Sequence, residues 1–222
     1  HQQLNKHDNI PCRSTRLLLV INIALMTLLA LFYSINPHTT TSGVFRNAHA
    51  RMDKSHLILN YHDGKTATIS TTLSPNNIIT LFSNGKPDAS VSMTMGHTVG
   101  DELTQALLAI YPSTLSTPLN NAAVIGFGSG MTTHVLLENK KIKSLSTIEI
   151  EPSVISAAKA FQPFNNNAYN DPRNHVIEED ARSFFAFDKH RYDAIVSEPS
   201  NPWVSGISNL FTKEFYAQCK GK

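Results

Sequence analysis

Sulfur and charge are both scarce in this sequence. Its two cysteines, Cys12 and Cys219, cannot build a disulfide framework or a thiolate metal site. Charged residues make up 16% of the 222, against about 25% in typical soluble domains. That deficit predicts an apolar segment carrying no charge. The net charge of +2 leaves no strongly basic face, which excludes a general nucleic-acid binder. Ten histidines show no His-Glu-x-x-His or other ligand spacing, so no metal site is expected. No Gly-x-Ser-x-Gly elbow supports serine hydrolase chemistry. No Lys-Ser/Thr pair follows the glycines, which excludes a nucleotide-hydrolysing P-loop.

The apolar segment is residues 17–35, LLLVINIALMTLLALFYSI. As a helix it would reach about 28 Å, close to the roughly 30 Å hydrocarbon core of a bilayer. Lys6, Arg13 and Arg16 precede it, and Asn36-Pro37 ends it. A transmembrane helix is expected. A secretory signal peptide is the competing reading, with Ala48-His49-Ala50 as a cleavage site, but the run is too long and the site too distant. Arg46, Arg51 and Lys54 follow, so positive-inside counting divides, the nearer flank favouring a cytoplasmic N-terminus. Residues 1–16 read as a loop and 36–55, rich in Thr, His and Ser, as a linker.

Residues 56–60, 66–72 and 78–83 alternate like short strands, separated by Asp63-Gly64 and Pro75-Asn76-Asn77. They predict a small antiparallel β-hairpin domain over 56–100. Residues 101–111 read as a helix with acids in its first turn, followed by Pro112. Strands at 122–125, 145–150, 175–177 and 192–196 then alternate with helices at 131–138, 152–161, 181–187 and 210–219. That rhythm predicts an α/β fold with a parallel sheet covered on both faces.

Ligands of such sheets bind beyond the carboxyl ends of the strands, and four features fall there. Gly126, Gly128 and Gly130 follow the first strand and let a backbone approach a ligand at a helix N-terminus. Glu149 ends the second strand about 20 residues further on, the spacing of a ribose-binding acid. Glu151 reads as solvent-facing. Asp180 follows the third strand; it suits an adenine amino group, the N-cap of the next helix, or both. Glu198 follows the fourth, in the proline-stiffened SEPSNPW, where a reacting centre would lie; a rigid turn with an exposed acid is the structural alternative.

NGKPDAS (84–90), DELTQALL (101–108), VIGFGSG (124–130), IEIEPSVI (148–155), DPRNHVIEEDARSF (171–184) and YDAIVSEPSNPWVSGISNLFTKEFY (192–216) together resemble the spermidine synthase family of polyamine aminopropyltransferases. The closer resemblance is to its membrane-fused branch. It implies a methyltransferase-type Rossmann domain over 101–222 and decarboxylated S-adenosylmethionine, or S-adenosylmethionine itself, as cosubstrate. It also implies a small polyamine as acceptor and leaves room for a homodimer. Glu198 falls on the catalytic acid, one methylene longer. Gly126, Gly128, Ser129, Gly130, Glu149, Asp180 and Ala181 fall on the nucleoside site. Asp88, Asp101 and Asn201 fall on the amine site.

Several positions depart from the family pattern. Ser129 stands where an aspartate usually holds the cosubstrate's amine, and Asn84-Gly85 replaces Asp-Gly. Asp88 replaces a glutamine, Gln105-Ala106-Leu107 replaces Tyr-His-Glu, and Asn201 replaces a second acid. Three functions therefore stay open: aminopropyl transfer, methyl transfer on the same fold, and a membrane-tethered nucleoside or polyamine sensor. Ser129 favours the second, as does Asn201-Pro202-Trp203, which is loosely similar to the loops with which amine methyltransferases grip a nitrogen. Because these cosubstrates are made in the cytoplasm, the domain is expected to face it. The resembled fold has seven strands and only four can be placed, so the expectation is a piece of a multi-pass membrane protein.

Overall fold

A computed structural model describes residues 13–32, 36–114, 118–198 and 207–222. The chain divides into two units, one ending at Asn36 and one spanning Pro37–Lys222.

The first unit contributes α1 (Arg13–Phe32), 20 residues long. Its window Ser14–Leu31 is long and apolar enough to cross a membrane. The helix starts one turn earlier than the apolar run, so Arg16 lies inside it. Residues 33–35 of the expected span lie outside the described residues. Asn22 Nδ2 donates to the Leu18 carbonyl and Thr27 Oγ1 to the Ile23 carbonyl, both at 2.8 Å. These polar side chains are thus satisfied by the helix itself, as hydrocarbon would require.

The second unit opens with α2 (Pro37–Thr40) and α3 (Val44–Asn47). The stretch expected as a linker is therefore ordered in part. Thr41 and Ser42 are buried, and Thr41 Oγ1 donates to Ser70 Oγ at 3.0 Å. Small hydroxylated residues read as loop by composition, yet here a hydroxyl pairs with one on a strand.

That strand belongs to an antiparallel meander of β1 (Leu57–Asp63), β2 (Thr68–Leu73), β3 (Ile78–Ser83) and β4 (Lys86–Ser92), paired in chain order. The fourth strand was not foreseen. Its opening Lys-Pro-Asp reads as turn, but Pro87 falls where the β3–β4 register shifts, and there a missing N–H is tolerated.

The parallel sheet has the order β7-β6-β5-β8, from β5 (Asn121–Ile125), β6 (Ser144–Glu149), β7 (Asn174–Glu178) and β8 (Ala194–Ser197). Its helices are α4 (Gly100–Ser113), α5 (Met131–Glu138), α6 (Pro152–Ala157), α7 (Asn166–Asn170), α8 (Ala181–Phe187) and α9 (Lys213–Lys220). A 3-10 turn over Ala158–Phe161 prolongs α6. Pro112 lies inside the last turn of α4 rather than after it, and the Thr114 N–H closes that turn on the Ile110 carbonyl. Winding direction reverses between β5 and β8, which makes their junction the switch point where ligands of such sheets bind.

Alternation along β5 serves both faces of the sheet. Ala122 and Val124 join Leu136, Leu137, Leu145 and Val196 in one core group. Ala123 and Ile125 join Ile148, Phe185 and Phe215 in another. A third group fuses the two sheets: Ile69, Leu81 and Val91 of the meander pack with Phe127, Val154 and Phe161. The hairpin region and the parallel sheet thus share one core.

Candidate active site

The glycine loop leaves β5 with Gly126 at φ +92° and enters α5 through Gly130 at φ +82°. A Cβ at Gly126 would come within 3.1 Å of the Glu198 carbonyl oxygen, so glycine lets the loop lie beside the end of β8. A Cβ at Gly130 would meet Phe127 Cε1 at 3.0 Å and Asn165 Cβ at 3.3 Å. At Gly128 it would meet nothing within 4 Å, which leaves the crown of the loop open. Asn165, fully buried, props the loop: its Nδ2 donates to the carbonyls of Ser129 at 2.6 Å and Ala158 at 2.8 Å. Sequence reasoning missed Asn165, whose only signal is a run of three asparagines.

Glu149, buried at the end of β6, accepts from the Phe127 N–H at 2.8 Å and the Glu151 N–H at 2.9 Å. Burial raises its carboxyl above the usual range, against the pull of those N–H groups. It therefore ties the glycine loop to β6. A carboxylate offers about four lone-pair sites, so acceptor capacity remains for a ligand. Asp180 is the N-cap of α8, Oδ1 accepting from the Ser183 N–H at 2.8 Å. Both roles expected of it remain compatible, since Oδ2 has no hydrogen bond among the described residues. The side chain of Ala181 packs in the core.

Glu151 corrects an expectation. It is 3% exposed, not solvent-facing. Its Oε2 accepts from Thr66 N at 2.6 Å, Thr66 Oγ1 at 2.9 Å and Ala67 N at 3.3 Å, while Oε1 caps α6 at Ser153 N. Burial pushes this carboxyl up, but the bonds from Thr66 and Ser153 more than reverse that and hold it at about 2. The carboxylate latches the β1–β2 turn to the parallel sheet. Gly64 makes room for it, because a Cβ there would fall 2.3 Å from Glu151 Oε1.

Glu198 follows β8, its N–H donating to the Ile125 carbonyl at 3.1 Å. The side chain is partly buried, and Oε2 accepts from Thr132 Oγ1 at 2.6 Å. Burial pushes its carboxyl up to about 7; the Thr132 bond opposes this, and the negative charge of Asp101 adds to it. Asp101, in the first turn of α4, is thus within electrostatic reach of Glu198. The next residue, Glu102, returns to its own helix start and accepts from the Ser92 and Val99 N–H groups. Ser129 is buried and turned inward: its hydroxyl donates to Gln105 Oε1 and accepts from the Met131 N–H at 3.2 Å. Gln105 is buried too, and its Nε2 has no partner among the described residues. Asp88 stands on β4, paired with the Lys86 ammonium. Asn201 and Trp203 lie outside the described residues. Thr132 and Gln105 were not singled out as site residues, because neither carries charge and each takes its role from partners far along the chain.

A parallel sheet wound in this order, with a glycine loop and carboxylates beyond its strand ends, is the architecture of the methyltransferase-like Rossmann proteins. Residues 102–222 match the spermine/spermidine synthase domain, and the chain belongs to that family. Among similar proteins are the polyamine aminopropyltransferases of Alkaliphilus oremlandii, 32% identical over 108 residues, and Sulfurisphaera tokodaii, 32% identical over 128. These matches cover 49% and 55% of this chain but only 38% and 42% of those relatives, so the chain spans about two fifths of their length. The fold resembles a spermidine synthase solved in complex with the transition-state analogue AdoDATO, with a TM-score of 0.63, 21% identity, and coverage of 73% of this chain and 53% of that one. The spermidine synthase of Thermotoga maritima gives 0.61, 20%, 73% and 52%.

Proposed function

We propose that the chain carries the donor site and base of a polyamine aminopropyltransferase, moving an aminopropyl group from decarboxylated S-adenosylmethionine to a small aliphatic amine. The observation that carries this reading is Glu198, a partly buried carboxyl pushed up to about 7 at the β5–β8 switch point and near Asp101. Two acids beside one crevice favour a cationic amine and a sulfonium. The open crown at Gly128, the free Oδ2 of Asp180 and the remaining lone pairs of Glu149 fit the nucleoside half.

The chemistry is an in-line displacement. The amine nitrogen's lone pair forms a bond to the aminopropyl carbon, the C–S bond breaks, and its pair leaves with sulfur as a neutral thioether. A primary amine with a pKa near 10.4 is neutral in only about one molecule in a thousand at pH 7. Glu198, ionised above its own value, accepts a proton from the bound ammonium on Oε1 and so supplies the neutral nucleophile. Asp101 orients the remaining positive charge.

Methyl transfer is the second reading, and one observation favours it. Ser129 is spent on Gln105 and offers no carboxylate to an aminopropyl ammonium, while Gln105 Nε2 is a buried donor suited to the carboxylate of unmodified S-adenosylmethionine. The reading extends to location: α1 supports a membrane tether, and a cytoplasmic cosubstrate puts the catalytic region on the cytoplasmic side. The exposed apolar face of α4 (Leu103, Leu107, Ile110, Tyr111) supports a homodimer.

Titrating both sulfonium compounds against the full chain, followed by mass spectrometry of products from putrescine, tests the reading. Binding of the decarboxylated donor, its loss in Glu149→Ala, and a kcat lowered about 10²- to 10⁴-fold in Glu198→Gln with donor binding retained are expected. Binding without product, or product from S-adenosylmethionine alone, overturns aminopropyl transfer.

A further inference from the structure

Thr132 sits between two acceptors. Its hydroxyl lies 2.6 Å from Glu198 Oε2 and 3.2 Å from the backbone carbonyl of Gln105. A hydroxyl has one proton to donate and two lone pairs to accept with, so it can bond both neighbours only by donating to one of them. The residue is 2% exposed. It belongs to the first turn of α5, fixed by the glycine loop, while Gln105 belongs to α4 and Glu198 to the end of β8. Three elements meet at one oxygen.

From this geometry we infer that Thr132 is a positioning residue for Glu198, a two-way hydrogen-bond switch that holds the carboxyl in both of its protonation states. With Glu198 ionised, Thr132 donates to Oε2 and Oε1 stays directed at the amine. With the amine's proton on Oε1, Thr132 keeps donating to Oε2; with the proton on Oε2 instead, that proton is donated to Thr132 Oγ1, and the threonine proton turns to the Gln105 carbonyl. No heavy atom has to move, and the Thr132 hydroxyl and Glu198 Oε2 stay bonded to each other in either state. A carboxyl that shuttles a proton each turnover needs this, because an unpaired buried group costs about 1–3 kcal/mol. The inference rests on the reading of Glu198 as the base. The charged group facing Glu198 from α4 is Asp101; among the described residues α5 presents the Thr132 hydroxyl and the glycine loop the backbone of Gly126.

Two variants of the full chain separate the ideas. Thr132→Val keeps the shape and removes the hydroxyl; Thr132→Ser keeps the hydroxyl. The titration of Glu198 is followed directly by carboxyl-selective 13C NMR, with Glu198→Gln identifying the signal, alongside the pH profile of kcat/KM. Thr132→Val is expected to move the Glu198 titration and the acid limb of the profile up by about one pH unit, since a bond is lost in both states but the charge-assisted one to the ionised form is the stronger. Thr132→Ser should leave both within about 0.3 unit of the parent. An unmoved titration in Thr132→Val overturns the switch. If Glu198→Gln leaves kcat unchanged while Thr132→Val still moves the titration, the base assignment fails and the Thr132 contact stands.

Discussion

Glu149 and Glu151 are two residues apart, both buried, and titrate in opposite directions. The difference is what each carboxylate receives: Glu151 takes four hydrogen bonds and is held at about 2, while Glu149 takes two and is raised by burial. A carboxyl depressed on folding stabilises the fold above its unfolded value and loses that contribution as pH falls through its folded one. Glu151 therefore supports the fold at neutral pH and withdraws support between about pH 4.5 and 2. A raised carboxyl works the other way, so Glu149 and Glu198 cost stability at neutral pH and cost less as they protonate. Glu151→Gln should lower unfolding stability by about 2 kcal/mol at pH 7, with the gap to the parent shrinking toward pH 3. Urea denaturation at both values measures it. A constant gap would mean that the latch acts through shape rather than charge. None of this was legible locally, because Thr66 lies 85 residues away along the chain.

At the scale of elements, the C-terminus of α5 is braced by the residue that leads into β7. Arg173, just before that strand, donates to the carbonyls of Leu137, Asn139 and Ile142 and is itself gripped by Asp171. The guanidinium thus bonds carbonyls at and beyond the C-terminus of α5, where a cation also suits the helix dipole. Arg173→Ala is expected to cost about 2–3 kcal/mol in chemical denaturation, and Arg173→Lys to recover only part, since one ammonium cannot reproduce a planar fork. Elements with strong local signals were readable in advance. The bounds of β3, α5 and α8 agree with expectation, because apolar periodicity met a clear stop such as Asn84-Gly85 or a clear start such as Asp180. Elements whose residues speak against them were not: β4 opens with Lys-Pro-Asp, and α7 is written in asparagines.

For the molecule as a whole, the sequence signal was strongest where spacing meets topology. Gly126, Glu149, Asp180 and Glu198 could be ordered along strand ends before any side chain was placed. Their neighbours Thr132, Gln105 and Asn165 could not, because uncharged partners acquire meaning only by contact. The N-terminal helix makes its own prediction. Leu25→Arg puts a charge near the middle of α1, at a cost of about 2.5–3.5 kcal/mol for insertion. The variant should move from the carbonate-resistant membrane fraction toward the soluble one, and retention equal to the parent would argue against a spanning helix.

The pairing of β5 with β8 also fixes an order in time. The meander and the β5–β6 crossover close over short stretches of chain, whereas Asp193 reaches Asn121 across 72 residues and Thr132 reaches Glu198 across 66. Long closures are entropically slow and come after local ones. By that measure the β5–β6 crossover, with its glycine loop and Glu149, closes early, while the β5–β8 pairing that brings Glu198 to Thr132 and the Glu151 latch on Thr66 close late.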